Sequence, residues 1–173
     1  MNKLIPIEER ESKLLKFGAP KLFIDNIGKI PELEFTVEYV TNAYSYIPDI
    51  SYYEILKGFN VIPIYDEGES FYVFLYNDKV KKIIHFELEN DEIYNSYGQN
   101  WNHLLLDIMI NCFDLYLEDE ITQKEYIEIG NKIGFEQTAE LFKLRNLPKE
   151  ELNKKFENND EWEMEIAKKL KIL

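Results

Sequence analysis

The chain has a single cysteine, Cys112, among its 173 residues. That excludes an internal disulfide framework and a cysteine-rich zinc site. Histidine is almost as scarce, with only His85 and His103, and their spacing is far from the HExxH pattern that presents two imidazoles to a metal. The seven glycines are scattered, and neither a GxxxxGK or GxGxxG phosphate loop nor a GxSxG nucleophile elbow occurs. No run of 18 apolar residues appears, and the opening MNKLIPIEERESK has no apolar stretch, so neither a membrane span nor a secretion signal is expected and the cytoplasm is the expected compartment. Basic residues are also short, with 20 Lys and Arg against 33 Asp and Glu, a net charge of −13 and a pI near 4.7. Binding nucleic acid through its phosphates needs the opposite balance.

What is present is core material. Apolar residues make up 45% of the chain, and 12 Tyr, 11 Phe and 2 Trp supply large buried surfaces. A single domain of this length buries roughly 70% of its unfolded surface. The acidity, moreover, has an address. Residues 83–123 hold nine acids (Glu87, Glu89, Asp91, Glu92, Asp107, Asp114, Glu118, Asp119 and Glu120) and no Lys or Arg, whereas the flanks 1–82 and 124–173 carry net charges of only −3 and −1.

Hydrophobic periodicity and punctuation place the elements. Pro6 opens a helix with Glu8, Glu9 and Glu11 near its positive end and Leu14 and Leu15 on its apolar face; Gly18 stops it, and Pro20 restarts a short helix through Leu22, Phe23 and Ile24 until Gly28. The alternation in LEFTVEYV (33–40) predicts a half-buried strand, with a helical alternative from Ala43 onward. FNVIPIY (59–65) predicts a strand whose Pro63 calls for an edge or a bulge. Asp66-Glu67-Gly68-Glu69 is turn chemistry, FYVFLY (71–76) predicts a central strand, and VKKIIHFELE (80–89) a third. Short turns between them predict an antiparallel meander. After a polar stretch, 90–100, the 3.6-residue spacing from Trp101 predicts a long buried helix. Thr122 with Glu125 forms a capping box for another helix, closed by Gly134; Thr138–Arg145, a segment opened by Pro148, and one capped by Asp160 follow. The expected fold is α+β, a small mainly antiparallel sheet flanked by helices with a helical C-terminal third. Its sheet-containing part covers about 30–120 and its C-terminal helices about 121–173, within one domain.

Residues able to do chemistry are few. His103 with Asp107 at i+4 can orient an imidazole, and His85 lies on a strand, but both read more simply as packed or surface histidines. Cys112 sits among acids that raise a thiol's pKa, and reads as core filler. Glu87, Glu89, Asp91 and Glu92 end a strand; paired carboxylates can hydrolyse glycosides or hold a hard cation, yet no EF-hand spacing is present. Two readings of these acids stay open, a solvated face and a face for a positively charged partner. Tyr94, Tyr97 and Trp101, interleaved with the acids, are candidate anchors for such a partner or packing under the loop. No catalytic, cofactor-binding or metal-ligating set is expected, and the chain is not expected to be an enzyme.

The stretch from Leu56 to Asp107, LKGFNVIPIYDEGESFYVFLYN followed by KKIIHFELENDEIYNSYGQNWNHLLLD, resembles the SUKH superfamily, whose bacterial members are widely immunity proteins of polymorphic toxin systems. The shared pattern is a strand ending in Ile62-Pro63, an acidic-Gly turn, an aromatic strand at 71–76, a strand with His85 and Glu87, and a helix after Trp101. GAPKLFID (18–25) resembles the proline-led helix that precedes the sheet. The resemblance implies an α+β fold without catalytic residues and a protein toxin as partner. A basic nuclease is the expected toxin, its cleft covered by Glu87, Glu89, Asp91, Glu92, Tyr94, Tyr97 and Trp101. A regulatory or scaffold module without a toxin partner is the alternative; direct contact with nucleic acid or a membrane is not expected.

Overall fold

Proline and glycine set the boundaries of the N-terminal helices. In a computed structural model, which describes residues 3–47, 52–89 and 91–173, Pro6 precedes helix α1 (Ile7–Lys16) and Pro20 precedes α2 (Lys21–Asn26). A proline there loses nothing, because the first amides of a helix have no intrahelical partner. The chain divides into two compact units, Met1–Trp101 and Asn102–Leu173.

The first unit is built on a five-stranded sheet in the order β1 (Lys3–Leu4), β2 (Asn60–Glu67), β3 (Ser70–Tyr76), β4 (Lys81–Glu87) and β5 (Glu92–Gly98). β1 runs parallel to β2 and the remaining pairs are antiparallel. Gly68, at φ +60° in the two-residue turn between β2 and β3, supplies the left-handed backbone that tight hairpins need. β3 is central and buried along five of its seven residues. On one face Val61, Phe71, Val73, Leu75, Ile84 and Phe86 form a core with Val40, Ala43 and Ile47 in and beside helix α3 (Thr41–Tyr46). On the other face Phe17 stacks on Phe74 at 4.7 Å, Phe23 meets Tyr65 edge-on at 5.9 Å, and the Trp101 ring lies parallel to Phe74 at 5.9 Å.

Two elements differ from the sequence expectation. The stretch 33–40 is not a strand: a 3-10 turn covers Pro31–Leu33, and the only ladder contact here among the described residues is an isolated bridge between Glu38 and Asp66. Its alternation separates buried Leu33 and Val37 from solvent, but Phe35 is 78% exposed. Conversely, the polar stretch after β4 contains β5, a full edge strand. Pro63 sits beside a bulge, where the register of β2 shifts between Pro63 and Tyr65, so its missing N–H is accommodated as the sequence implies.

The second unit is helical. Helix α4 (Trp101–Leu117) starts at the last residue of the first unit and is followed by α5 (Gln123–Ile133), α6 (Thr138–Arg145), α7 (Lys149–Phe156) and α8 (Asn159–Lys169). Its core is aromatic: Phe113, Tyr126 and Phe142 lie within 5.7 Å of one another, and the Tyr126 hydroxyl donates to the Met109 carbonyl at 2.8 Å. The whole is α+β with a helical C-terminal part. Among the described residues no helix is long and apolar enough to cross a membrane.

Candidate partner-binding site

Strand register brings acids together that are far apart in sequence. Glu67 of β2 pairs with Ser70 of β3, Ser70 with Glu87 of β4, and Glu87 with Glu92 of β5. Residues directly opposite share a face of the sheet, so these four form one row, about 14 Å long at ~4.8 Å per strand. The next row on that face is aromatic. Tyr65 stacks on Tyr72 at 4.1 Å, Tyr72 stacks on His85 at 3.9 Å, and Tyr94 meets His85 edge-on at 5.1 Å. The polar row rests on this ladder: the Tyr72 hydroxyl donates to Glu67 Oε2 at 3.1 Å.

The two rows meet at His85. Its Nε2 lies 2.8 Å from Ser70 Oγ and 3.9 Å from Glu67 Oε2. The Ser70 hydroxyl donates to the Glu67 carbonyl at 3.0 Å, so the short contact is read as His85 Nε2–H donating to Ser70. A serine nucleophile needs the reverse, an imidazole nitrogen free to take the hydroxyl proton. Burial pushes the His85 pKa down to about 4, leaving a neutral ring at physiological pH. Desolvation, then Glu87, Glu92 and Glu89, raise the Tyr94 phenol above its ordinary range.

Backbone irregularity aims the edge strand. β5 is bulged twice against β4, between its partners for Ile83 and Ile84 and between those for His85 and Phe86. A bulge adds a residue and resets which face the following side chains occupy. As a result Tyr94 reaches His85, and Tyr97 lies over Tyr72 at 6.4 Å. Tyr94 stays 53% exposed, and Glu92 is exposed beside it.

The residues singled out from sequence therefore separate. Glu87, Glu92 and Tyr94 share the face just described, and Glu89 is exposed in the turn that follows β4. Asp91 is occupied by the turn: at φ +52° its Oδ2 accepts the Glu54 amide at 2.5 Å. Tyr97 and Trp101 are 5% and 7% exposed, and Trp101 also donates Nε1–H to the Phe17 carbonyl at 3.0 Å. Both pack inside the first unit and offer little surface to a partner. Glu67, Ser70 and Tyr72 were missed, because only register places them beside Glu87; the turn signal at Gly68 was the available clue. The acids after Trp101, from Asp107 to Glu120, belong to the second unit.

Comparison with family models, with curated proteins and with solved structures gave no match. Among the described residues no group of three or more His, Cys, Asp or Glu side chains is arranged to hold a metal ion. His103, at the start of α4, has its pKa lowered by burial and partly restored by Asp107, and Cys112 is buried mid-helix.

Proposed function

We propose that this protein is a binding module that engages a positively charged protein through the β4–β5 hairpin, in the role of an immunity protein covering the basic cleft of a toxin, a nuclease by preference. The observation that carries this reading is the placing of Glu87 and Glu92 directly opposite each other. Like charges across a strand pair are destabilising. The nearest cations in the strand itself, Lys81 and Lys82, sit at its other end over Phe17 and Phe59. Acids held in a row beside a half-exposed tyrosine suit a surface that meets Lys and Arg, with Tyr94 available to a cation over its ring. The resemblance of residues 56–107 to SUKH immunity proteins supports the toxin as the partner class.

The test is co-expression with the product of the adjacent gene. Protection of cells and co-purification are expected, and association should slow about tenfold or more between 0.05 and 0.5 M salt, as the Debye length falls below about 5 Å. The Glu89→Lys, Glu92→Lys double variant should slow association by about tenfold at low salt while unfolding like the parent. An association rate indifferent to both changes would exclude the electrostatic interface, and a harmless adjacent product that does not bind would favour a regulatory module instead.

A further inference from the structure

The other face of the same strand end holds a carboxylate with two unlike oxygens. Asp66 is fully buried. Its Oδ2 accepts the amides of Asn42 and Ala43 at 2.8 and 3.1 Å, tying the first turn of α3 to β2. Its backbone reinforces the tie through the Glu38–Asp66 bridge, with bonds of 2.9 and 3.1 Å. Oδ1 is buried with no hydrogen-bond partner among the described residues. Arg10, the natural counter-charge, points two of its donors elsewhere: Nε donates to the Pro63 carbonyl at 2.7 Å and Nη2 to that of Ile64, beside the β2 bulge, while its Nη1 is buried without a hydrogen-bond partner among the described residues and acts on Asp66 only through its charge.

We propose that Asp66 is a proton-operated clamp, in which a proton taken up on Oδ1 neutralises the buried charge while Oδ2 keeps its hold on the amides of α3, so that segment 38–46 is fastened more firmly in mild acid than at neutral pH. The two oxygens make this possible. Protonating an oxygen that accepts no bond leaves the capping bonds in place, and it removes the cost of burying an uncompensated anion. The surrounding charges do not reverse the effect. From the segment preceding α3 come Glu38, a like charge, and Tyr39, whose ring lies 5.6 Å from the Arg10 guanidinium; α3 contributes Tyr44, and α1 contributes Arg10, Glu8 and Glu11. Burial, the largest influence, raises the Asp66 pKa to about 6 despite the two amides and Arg10. The Tyr44 phenol, desolvated and held at about 12 while donating to the Ile5 carbonyl, does not titrate in this range.

Amide hydrogen exchange on the full chain tests the clamp. After correction for intrinsic rates, protection of the Asn42 and Ala43 amides should rise about tenfold from pH 7 to pH 5, the factor that linkage gives for a folded pKa of about 6. Asp66→Asn keeps a capping oxygen without the charge, and should show protection with no such rise. In the parent, the ¹³C carboxyl shift of Asp66 should titrate with a midpoint near 6. Protection that is flat or falls towards pH 5, a rise that persists in Asp66→Asn, or a midpoint in the ordinary range near 4 would each overturn the proposal.

Discussion

Arg145 poses at the scale of one side chain a question that magnitudes must decide. It is 2% exposed at the end of α6. Its guanidinium lies 4.6 Å from the Trp162 ring, 5.4 Å from Phe113 and 5.9 Å from Phe156, while Nε and Nη1 have no hydrogen-bond partner among the described residues. Burial pulls its pKa down, and Glu163 and Asp114 pull it back up. A desolvated cation–aromatic contact contributes about 2 kcal/mol, whereas burying an incompletely bonded charge costs several. Three such contacts act together here, and the guanidinium is also the counter-charge of the partly buried Glu163 and Asp114 carboxyls. Arg145→Met fills the aromatic slot but leaves those carboxyls uncompensated, so urea unfolding is expected to show a loss of about 1–3 kcal/mol. Stability unchanged or raised would mean that desolvation of the guanidinium outweighs its aromatic and carboxylate contacts.

Between elements, Gly130 lets α5 pack tightly against the start of α6. A methyl group on Gly130 would lie 1.9 Å from Thr138 Oγ1 and 2.6 and 2.7 Å from its Cγ2 and Cβ. Thr138 is itself buried and donates to the Phe135 carbonyl at 2.6 Å, so it cannot swing aside without losing a bond. Gly130→Ala gains up to about 1 kcal/mol of helix propensity but forces the helices apart. A net loss of about 1–3 kcal/mol is expected in denaturant unfolding. Thr138→Ala should recover only part of it, because Cβ remains in the way. Gly130 gave no sign of this in the sequence, whereas its neighbours did. Thr122 and Glu125 form both bonds of the capping box, and Gly134 ends the helix at φ +77°. Those interactions are closed within a few residues, so local spacing suffices to see them. β5 was invisible for the opposite reason. Glu92–Gly98 is an edge strand exposed at every residue but Tyr97, so it has no buried period, and β4 alone makes it a strand. The error at 33–40 has the same root, since alternation reports burial and cannot report whether a partner strand is there to pair with. The acidic segment was legible as composition; the row formed by Glu67, Ser70, Glu87 and Glu92 was not, because register is a tertiary fact.

For the molecule as a whole, an excess of 13 negative charges suggests that acid, by relieving repulsion, should stabilise it. Two buried groups in the first unit decide how far that holds. Asp66 has a folded pKa raised to about 6. The folded chain binds that proton more readily than the unfolded one, so its contribution to stability grows as pH falls through 6 towards 4. His85 has its folded pKa lowered to about 4. Here the unfolded chain takes the proton first, and stability is lost as pH falls from about 6.5 towards 4. Both residues are buried, and their effects run in opposite directions across nearly the same window. With the two contributions nearly cancelling, the melting temperature of the parent should show only the modest rise that relief of surface repulsion brings between pH 6.5 and pH 4.5. Each half of the balance is separable. His85→Gln retains an N–H for Ser70 and removes the imidazole, so its melting temperature should climb as pH falls. Asp66→Asn removes the opposing half, so its melting temperature should drop over the same interval. Thermal unfolding of the three proteins at half-unit steps of pH reads this directly, and three parallel curves would show that neither buried group governs the profile, leaving the surface carboxylates as its source.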